Sequence, residues 1–251
     1  MNTNGNLDYL IESLSPCASI PPDAQGKWLL FRSIVNARNP EPVSEDFLAV
    51  QDELLQSIIA ERGVTDIAAL RPVRDNLYLW RGDITTLKVD AIVNAANSGM
   101  LGCFVPNHAC IDNAIHTFAG VQLRMECAAF MEKQGRPEPA GQAKITAAYN
   151  LPGKYILHTV GPVITGSLTQ KHCALLASCY RSCLELAELN GVQSIAFCCI
   201  STGEFRFPNE EAAAVAVKTV EDYIAERRSE VKVIFNVFKE NDYNIYRRLL
   251  G

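Results

Sequence analysis

Segments with the patterns of strands and helices alternate along most of this chain. Strands are predicted over 76–81, 89–94, 144–149, 155–160, 194–200 and 231–238, and helices over 112–134 with a break at Gly120, 172–190, 209–228 and 243–250. The segment 194–200 is apolar almost throughout, which is typical of a strand that is buried on both faces of a sheet. Alternation of this kind predicts an α/β fold in which helices cover both faces of a central sheet.

The first 72 residues differ from the rest, because their apolar residues follow helical spacing only. A short amphipathic stretch at 7–13 precedes two longer predicted helices, over 24–37 and from Ser44 to a stop at Gly63. This part of the sequence contains no catalytic constellation. We therefore expect residues 1–72 to form a helical extension that packs as a cap on a main domain at 73–251.

The composition limits the partners that such a domain is expected to have. The formal net charge is −5, and an acidic surface disfavours non-specific nucleic-acid binding, which needs basic patches. Apolar runs are shorter than a membrane span, and the first residues lack the pattern of a secretory signal. The nine cysteines, with Cys198 and Cys199 adjacent, indicate reduced thiols. We therefore expect a cytoplasmic protein with no nucleic-acid or membrane partner.

Two loops that follow predicted strands carry short polar side chains. Asp83 comes after the first strand in a tight turn, where it either accepts a hydrogen bond from a base or ribose or caps the turn. Asn94 and Asn97 end the next strand, where they either orient a sugar hydroxyl or a water, or form Asx turns. Ligands of open α/β sheets bind at loops of this position, so both loops are candidate binding sites.

A third loop, at 200–208, joins the predicted buried strand to the helix at 209–228. It brings hydroxyls, a glycine and free backbone N–H groups to the positive end of a helix dipole, which is a suitable cradle for a diphosphate. The loop lacks the Gly-Lys-Ser/Thr of a Walker sequence, and a plain connection is the alternative.

The segment from Cys103 to Cys110 carries the strongest chemical signal. Cys103, His108 and Cys110 lie within eight residues, and zinc favours thiolate and imidazole ligands. Three protein ligands with one open position are typical of catalytic zinc. The alternative is two incidental thiols and a surface histidine. This segment therefore predicts a zinc site.

Three other titratable residues have alternative interpretations. His116 and His158 are interpreted as structural or hydrogen-bonding histidines. Asp112 follows Cys110 at the start of a predicted helix, where it either caps the helix or orients a water molecule.

Taken together, these loops resemble the macrodomain family over roughly residues 76–251. The resemblance rests on four segments in order, namely Gly82-Asp83-Ile84-Thr85, Val89 to Asn97, Asp112 to Gly120, and Ile200-Ser201-Thr202-Gly203. Where most members have a glycine-rich loop, this chain has Gly102 to Cys110, which looks like the zinc-containing macrodomain subfamily. The resemblance implies a three-layer α/β/α fold with a mixed central sheet, plus the N-terminal helical extension of that subfamily.

The resemblance also implies an activity. Bacterial and fungal members of that branch are protein-ADP-ribose hydrolases, and some are encoded beside a sirtuin-type ADP-ribosyltransferase and a lipoylated carrier protein. It implies a monomeric enzyme that removes mono-ADP-ribose from protein side chains, as Asp or Glu esters, with one zinc ion beside the distal ribose. The alternatives are a non-catalytic reader of ADP-ribose and a hydrolase of small derivatives such as O-acetyl-ADP-ribose.

The implied residue roles follow the matched positions. Asp83 and Ile84 would hold the adenine end of the ligand, and the diphosphate and ribose would be wrapped by Ser201, Thr202, Gly203, Glu204 and Phe205. The zinc ligands would be Cys103, His108 and Cys110, and the catalytic set would be Asn97, near the distal ribose, with Asp112 and Cys103. One departure is Arg206, where many macrodomains have glycine.

Overall fold

The computed structural model describes residues 3–251. Its helices are α1 (Thr3–Leu14), α2 (Ala24–Ala37), α3 (Glu45–Arg62), α4 (Ile111–Ala119), α5 (Val121–Gln134), α6 (Gln170–Leu189), α7 (Asn209–Arg227) and α8 (Glu240–Leu250). Its strands are β1 (Thr65–Asp66), β2 (Leu77–Arg81), β3 (Leu87–Lys88), β4 (Ala91–Ala96), β5 (Ala143–Ala147), β6 (Tyr155–Val160), β7 (Ser194–Phe197) and β8 (Lys232–Val237). Six of these strands form the central sheet in the order β2-β8-β7-β4-β6-β5, and β1 pairs with β3 separately.

Helices cover both faces of this sheet, which is mixed because β5 runs antiparallel to β6 while the other neighbouring strands are parallel. Asn94 of β4 pairs in register with His158 of β6, and the Asn94 side chain reaches α4 on that face. Phe197 of β7 points to the opposite face, where its ring centroid lies 4.8 Å from that of Tyr180 in α6. The predicted three-layer α/β/α arrangement is therefore confirmed.

The N-terminal helices pack on the main domain through α2 and α3. Trp28 of α2 stacks on Phe118 of α4 with ring centroids 5.7 Å apart. Leu55 and Ile59 of α3 belong to the main hydrophobic core, whereas α1 contributes to a separate cluster around Phe31. The helical cap is thus present. The predicted boundary at residue 72 stays a prediction, and residues 1 and 2 lie outside the described residues.

Where the predicted elements differ from the structure, the causes are local. Helix α6 starts two residues before the predicted start because Thr169 and His172 form a capping box. The prediction of a strand over 194–200 is wrong at its end, since β7 stops at Phe197 and the chain turns towards Ser201, whose φ is 66°. The pairing of β1 with β3 is not predicted, because a strand of two residues has no readable alternation.

Two further observations concern the state of the cysteines and the hydropathy of the helices. All nine cysteines are free thiols, and Cys179 and Cys183 of α6 pack in the main core. Among residues 3–251, no helix combines the length and the hydropathy needed to span a membrane.

Candidate active site

Three loops lie at one edge of the central sheet, where its parallel strands end. Asp83 follows β2, Asn97 follows β4, and Ser201 lies in the loop after β7. Parallel strands of one sheet end at the same edge, so loops that are distant in sequence become neighbours there. The position of the site is therefore set by the strand order.

Asn97 connects this sheet edge to α4 and to the cysteine segment. Its Oδ1 accepts a hydrogen bond from Gly99 N at 2.9 Å, which is the Asx turn named as its alternative. Its Nδ2 donates to Asp112 Oδ2 at 3.1 Å and to Gly102 O at 3.0 Å. The side chain is half-buried. Asn97 is therefore both a turn residue and a positioned amide at the sheet edge.

Asp112 lies in the first turn of α4 and is buried. The N-cap of α4 is Cys110, so the interpretation of Asp112 as the helix cap is wrong. Asn94 Nδ2 donates to Asp112 Oδ1 at 2.8 Å, while Asn97 holds Oδ2. Burial raises the pKa of Asp112 to about 6, and the hydrogen bond from Asn94 limits the rise. Two amide donors thus fix both oxygens of this carboxylate.

A buried hydrogen-bond chain continues from Asp112 across the sheet. Asn94 Nδ2 also lies 3.1 Å from His158 Nδ1, and His158 Nε2 lies 3.0 Å from Thr146 Oγ1. An amide nitrogen only donates, so His158 Nδ1 accepts and its Nε2 carries the proton. Burial lowers the pKa of His158 to about 3, which keeps the ring neutral. His158 therefore has the hydrogen-bonding role predicted for it and orients Asn94.

His116 is a buried histidine that belongs to the core. Neither of its ring nitrogens has a hydrogen-bond partner among the described residues, and burial lowers its pKa well below the usual value. His116, Cys127 and His158 form a buried group of potential metal ligands. Both nitrogens of His158 are already hydrogen-bonded, so this group is better explained by core packing than by metal binding.

Cys103, His108 and Cys110 form a different group, which is only partly buried. One potential ligand atom from each lies within 4.8 Å of the others, and Cys103 Sγ is 3.5 Å from His108 Nδ1. Two sulfurs and a ring nitrogen are a donor set that zinc prefers, so the residues present fit a zinc ion. In the described part of the chain this group has three members, which is the number of protein ligands in a catalytic zinc site.

Gly102 lets the cysteine segment lie directly over His116. Its φ is 80°, and a Cβ there would lie 2.7 Å from His116 Cγ. Gly102→Ala is expected to lower the free energy of unfolding by about 2–5 kcal/mol, the sum of left-handed backbone strain and overlap. Urea unfolding measures this loss. Gly166→Ala is the control, since a Cβ there would meet no described atom within 4 Å. Equal losses in the two variants would contradict the prediction.

The loop after β7 combines strained backbone with an unpaired polar group. Ser201 and Arg206 have φ angles of 66° and 58°, and strain of this kind clusters at ligand sites. Ser201 Oγ is buried and has no hydrogen-bond partner among the described residues. Arg206 therefore has a backbone conformation that glycine adopts more readily than arginine does. A ligand oxygen or water would satisfy the Ser201 hydroxyl.

The same loop lies beside the cysteine segment. Glu204 Oε1 is 3.7 Å from His108 Nε2, although the Glu204 side chain is largely exposed. Thr202 donates a hydrogen bond within the loop, and Gly203 is exposed. Phe205 packs at the ends of β4 and β6. The predicted diphosphate loop and the potential metal ligands are thus neighbours.

Asp83 lies at the same sheet edge, where its side chain caps the short helical turn that follows it. Its Oδ1 accepts hydrogen bonds from Thr85 N at 2.9 Å and from Thr85 Oγ1 at 2.6 Å. Its other carboxylate oxygen pairs with Arg62 of α3. Ile84 is buried beside it. The capping alternative for Asp83 is confirmed, and contact of Asp83 or Ile84 with an adenine stays a prediction.

Three more residues contact this site, and the sequence patterns did not predict them. Arg32 of α2 donates to His108 O, Asn36 of α2 accepts from Asn107 N, and Arg124 of α5 donates to Leu101 O. Arg32 and Asn36 are polar side chains four residues apart in a mostly apolar segment, whereas Arg124 lies among other polar residues. That spacing shows that the two share a helix face but not what the face contacts.

Comparison with known proteins agrees with this architecture. The family model of the Macro domain matches residues 93–216. A protein of Treponema medium named protein-ADP-ribose hydrolase is 59% identical over 236 residues, which are 92% of this chain and 90% of the relative. A protein of the same name from Staphylococcus aureus (strain MRSA252) is 50% identical over 254 residues, covering 98% of this chain and 95% of the relative.

Solved structures show the same fold. The Trypanosoma brucei macrodomain in complex with ADP-ribose superposes with a TM-score of 0.68 at 31% identity, covering 93% of this chain and 97% of the other. Sequence identity over nearly the whole chain and a shared fold lead to one assignment: the chain belongs to the macrodomain family.

Proposed function

We propose that this protein is a protein-ADP-ribose hydrolase of the zinc-containing branch, and that it removes mono-ADP-ribose from Asp or Glu side chains. The observation that carries the proposal is the meeting of three features at one sheet edge. These are the doubly hydrogen-bonded Asp112 carboxylate, the group of Cys103, His108 and Cys110, and the strained loop that begins at Ser201. The names of the relatives from Treponema medium and Staphylococcus aureus support a hydrolase.

The loop after β7 is proposed to bind the diphosphate. Its exposed Gly203 allows close approach of a ligand to the backbone, and the buried Ser201 hydroxyl has no hydrogen-bond partner among residues 3–251. Backbone N–H groups hold phosphate without lysine or arginine, so the acidic net charge of the chain is no obstacle. Asp83 and Ile84 are proposed to contact the adenine end at the neighbouring loop.

The cleavage is proposed to occur at the distal ribose, as in a glycosidase. Water adds to the anomeric carbon, the bond to the carboxylate oxygen of the target breaks, and one proton goes to solvent. Asp112 accepts a hydrogen bond from the attacking water and orients it, because its two amide partners hold the carboxylate in place. Asn97, which holds Asp112, positions the ribose.

Cys103, His108 and Cys110 are the residues that would hold zinc. A bound zinc ion would supply Lewis-acid polarisation of an oxygen at the reacting centre. Glu204 faces His108 Nε2, so the loop that binds the diphosphate would adjoin the ligand set. We further propose that the enzyme is a cytosolic monomer that acts beside a sirtuin-type transferase on targets such as a lipoylated carrier protein.

The test is release of ADP-ribose from a protein that is mono-ADP-ribosylated on Asp or Glu. Purified protein is assayed as isolated, after chelation, and after zinc is restored, with elemental analysis of each sample. We expect turnover and about one zinc per chain as isolated, loss of both on chelation, and recovery of both with zinc. In water labelled with ¹⁸O, the released carboxylate is expected to gain no label, as cleavage at the ribose requires.

Three results would contradict this function in distinguishable ways. Tight ADP-ribose binding without turnover would indicate a non-catalytic reader. Turnover of O-acetyl-ADP-ribose but not of the modified protein would indicate a small-molecule hydrolase. Undiminished turnover after complete removal of the metal would leave a hydrolase but exclude the zinc mechanism.

A further inference from the structure

The N-terminal extension contacts the backbone of the segment that carries the potential zinc ligands. Arg32 of α2 donates from Nη2 to His108 O at 3.0 Å and to Asn113 Oδ1 at 2.7 Å. The first acceptor belongs to a potential ligand, and the second lies in the first turn of α4. One guanidinium nitrogen therefore ties the two ends of the 108–113 stretch together.

Asn36 makes a second connection from the same helix face. It lies four residues after Arg32, is almost fully buried, and accepts a hydrogen bond from Asn107 N at 3.0 Å through Oδ1. Its Nδ2 donates to Thr117 Oγ1 of α4 at 3.0 Å. Asn107 has a φ of 55° and itself donates from Nδ2 to Leu29 O at 3.2 Å. The turn before His108 is thus held on both its backbone and its side chain.

Arg124 anchors the beginning of the same segment to the end of α2. Its Nε donates to Leu101 O at 2.7 Å, and its Nη1 donates to the carbonyls of Val35 and Asn36. Its guanidinium also lies 4.3 Å from the ring centroid of Phe104. Both ends of the 101–108 stretch are therefore fixed to α2, either directly or through Arg124.

These contacts hold in place a segment that is itself largely exposed. Phe104, Val105, Pro106 and Ala109 are exposed, so the segment buries little apolar surface of its own to order it. Ordering one backbone residue costs about 1–2 kcal/mol of conformational free energy. If the segment is already ordered in the metal-free protein, this cost does not reduce the free energy of metal binding. Preorganised ligands bind a metal more tightly than mobile ones.

We propose that α2 is a clamp on the metal segment, with Arg32 and Asn36 as positioning residues that place His108 for zinc. This inference rests on the proposed zinc site and gives the N-terminal extension a role in it. The apolar packing of the extension, such as Trp28 on Phe118, is separate from the polar contacts. Removing the polar contacts alone should therefore leave the extension folded.

The test is zinc affinity, measured by competition with a chromophoric chelator on the full chain. The Cys110→Ser variant serves as a blank for zinc bound at other thiols. Arg32→Met is expected to weaken zinc binding about 10–100-fold, the range typical of residues that orient metal ligands. Lys27→Met is the matched control, since Lys27 also lies on α2 but pairs with Asp8 of α1. It is expected to bind zinc as the wild type does.

Arg32→Lys separates geometry from charge. Lysine keeps the positive charge but not the reach of the guanidinium to His108 O and Asn113 Oδ1, so it is expected to recover at most part of the loss. Full recovery by lysine, or equal weakening by Lys27→Met, would overturn the clamp, as would unchanged affinity in Arg32→Met. A wild-type protein without tight zinc binding would instead refute the zinc site itself, and the clamp with it.

Discussion

Cys110→Ser is expected to remove the bound zinc and to slow release of ADP-ribose by about 10²–10³-fold. The size follows from the several kcal/mol that a Lewis acid contributes, at about 1.4 kcal/mol for each factor of ten. Serine suits this position structurally, because Cys110 is the N-cap of α4 and its Sγ accepts from Asn113 N at 3.4 Å. Serine is a favoured cap, so α4 should keep its first turn. The loss would then report the missing thiolate and not a damaged helix.

The measurement combines elemental analysis with single-turnover release of ADP-ribose from a modified protein. Cys17→Ser is the matched control, because Cys17 is an exposed thiol remote in sequence from the metal segment. It should retain both zinc and turnover. A Cys110→Ser protein that retains wild-type turnover without zinc would show that the metal is not used in the reaction, whatever its effect on stability.

Asp112→Asn is expected to lower turnover by about 10²–10⁴-fold, the range for loss of a side chain that handles a proton or orients the attacking water. Both carboxylate oxygens accept from amide nitrogens, one from Asn94 and one from Asn97. An amide at this position has only one acceptor, so its NH₂ group must face one of those two donors. The substitution therefore disturbs the partner amides as well as the carboxylate.

Binding and folding measurements separate this effect from general damage. ADP-ribose affinity, measured by calorimetry, should change much less than turnover, because the proposed diphosphate contacts lie on the loop after β7. Zinc content should stay at the wild-type level, since Asp112 is not among the grouped ligands. Asp222→Asn, at a half-buried residue paired with Lys218 on α7, controls for the loss of one negative charge. Wild-type turnover in Asp112→Asn would exclude Asp112 from the reaction.

Local patterns in the sequence were sufficient for most elements and for the grouping of the potential metal ligands. Apolar periodicity located α2, α3 and α7 closely, and glycine marked the ends of helices such as α3 at Gly63. The grouping of Cys103, His108 and Cys110 was also predictable, because ligands within eight residues are constrained to approach one another. These features depend on neighbours a few residues apart, which a single sequence displays directly.

Other features depend on which of two nearby side chains accepts the hydrogen bond from a backbone N–H group at a helix start. From composition alone, Asp112 is the plausible cap for α4, because aspartate is a favoured capping residue. The structure gives the cap to Cys110 and turns Asp112 towards Asn94 and Asn97. Because Asp112 does not cap α4, its carboxylate is available to a substrate. The packing of α4 on β4 sets this orientation.

The sequence by itself therefore determined an alternating α/β chain with a helical extension, and a cysteine–histidine segment suited to zinc. Only the tertiary structure placed the loop after β7 beside that segment, and α2 against its backbone. The physical reason is separation along the chain: Arg32 and His108 are 76 residues apart, and Asn94 and His158 are 64 apart. Hydrogen bonds between residues so far apart in the sequence depend on strand order and helix packing, which the local periodicity of a sequence does not show.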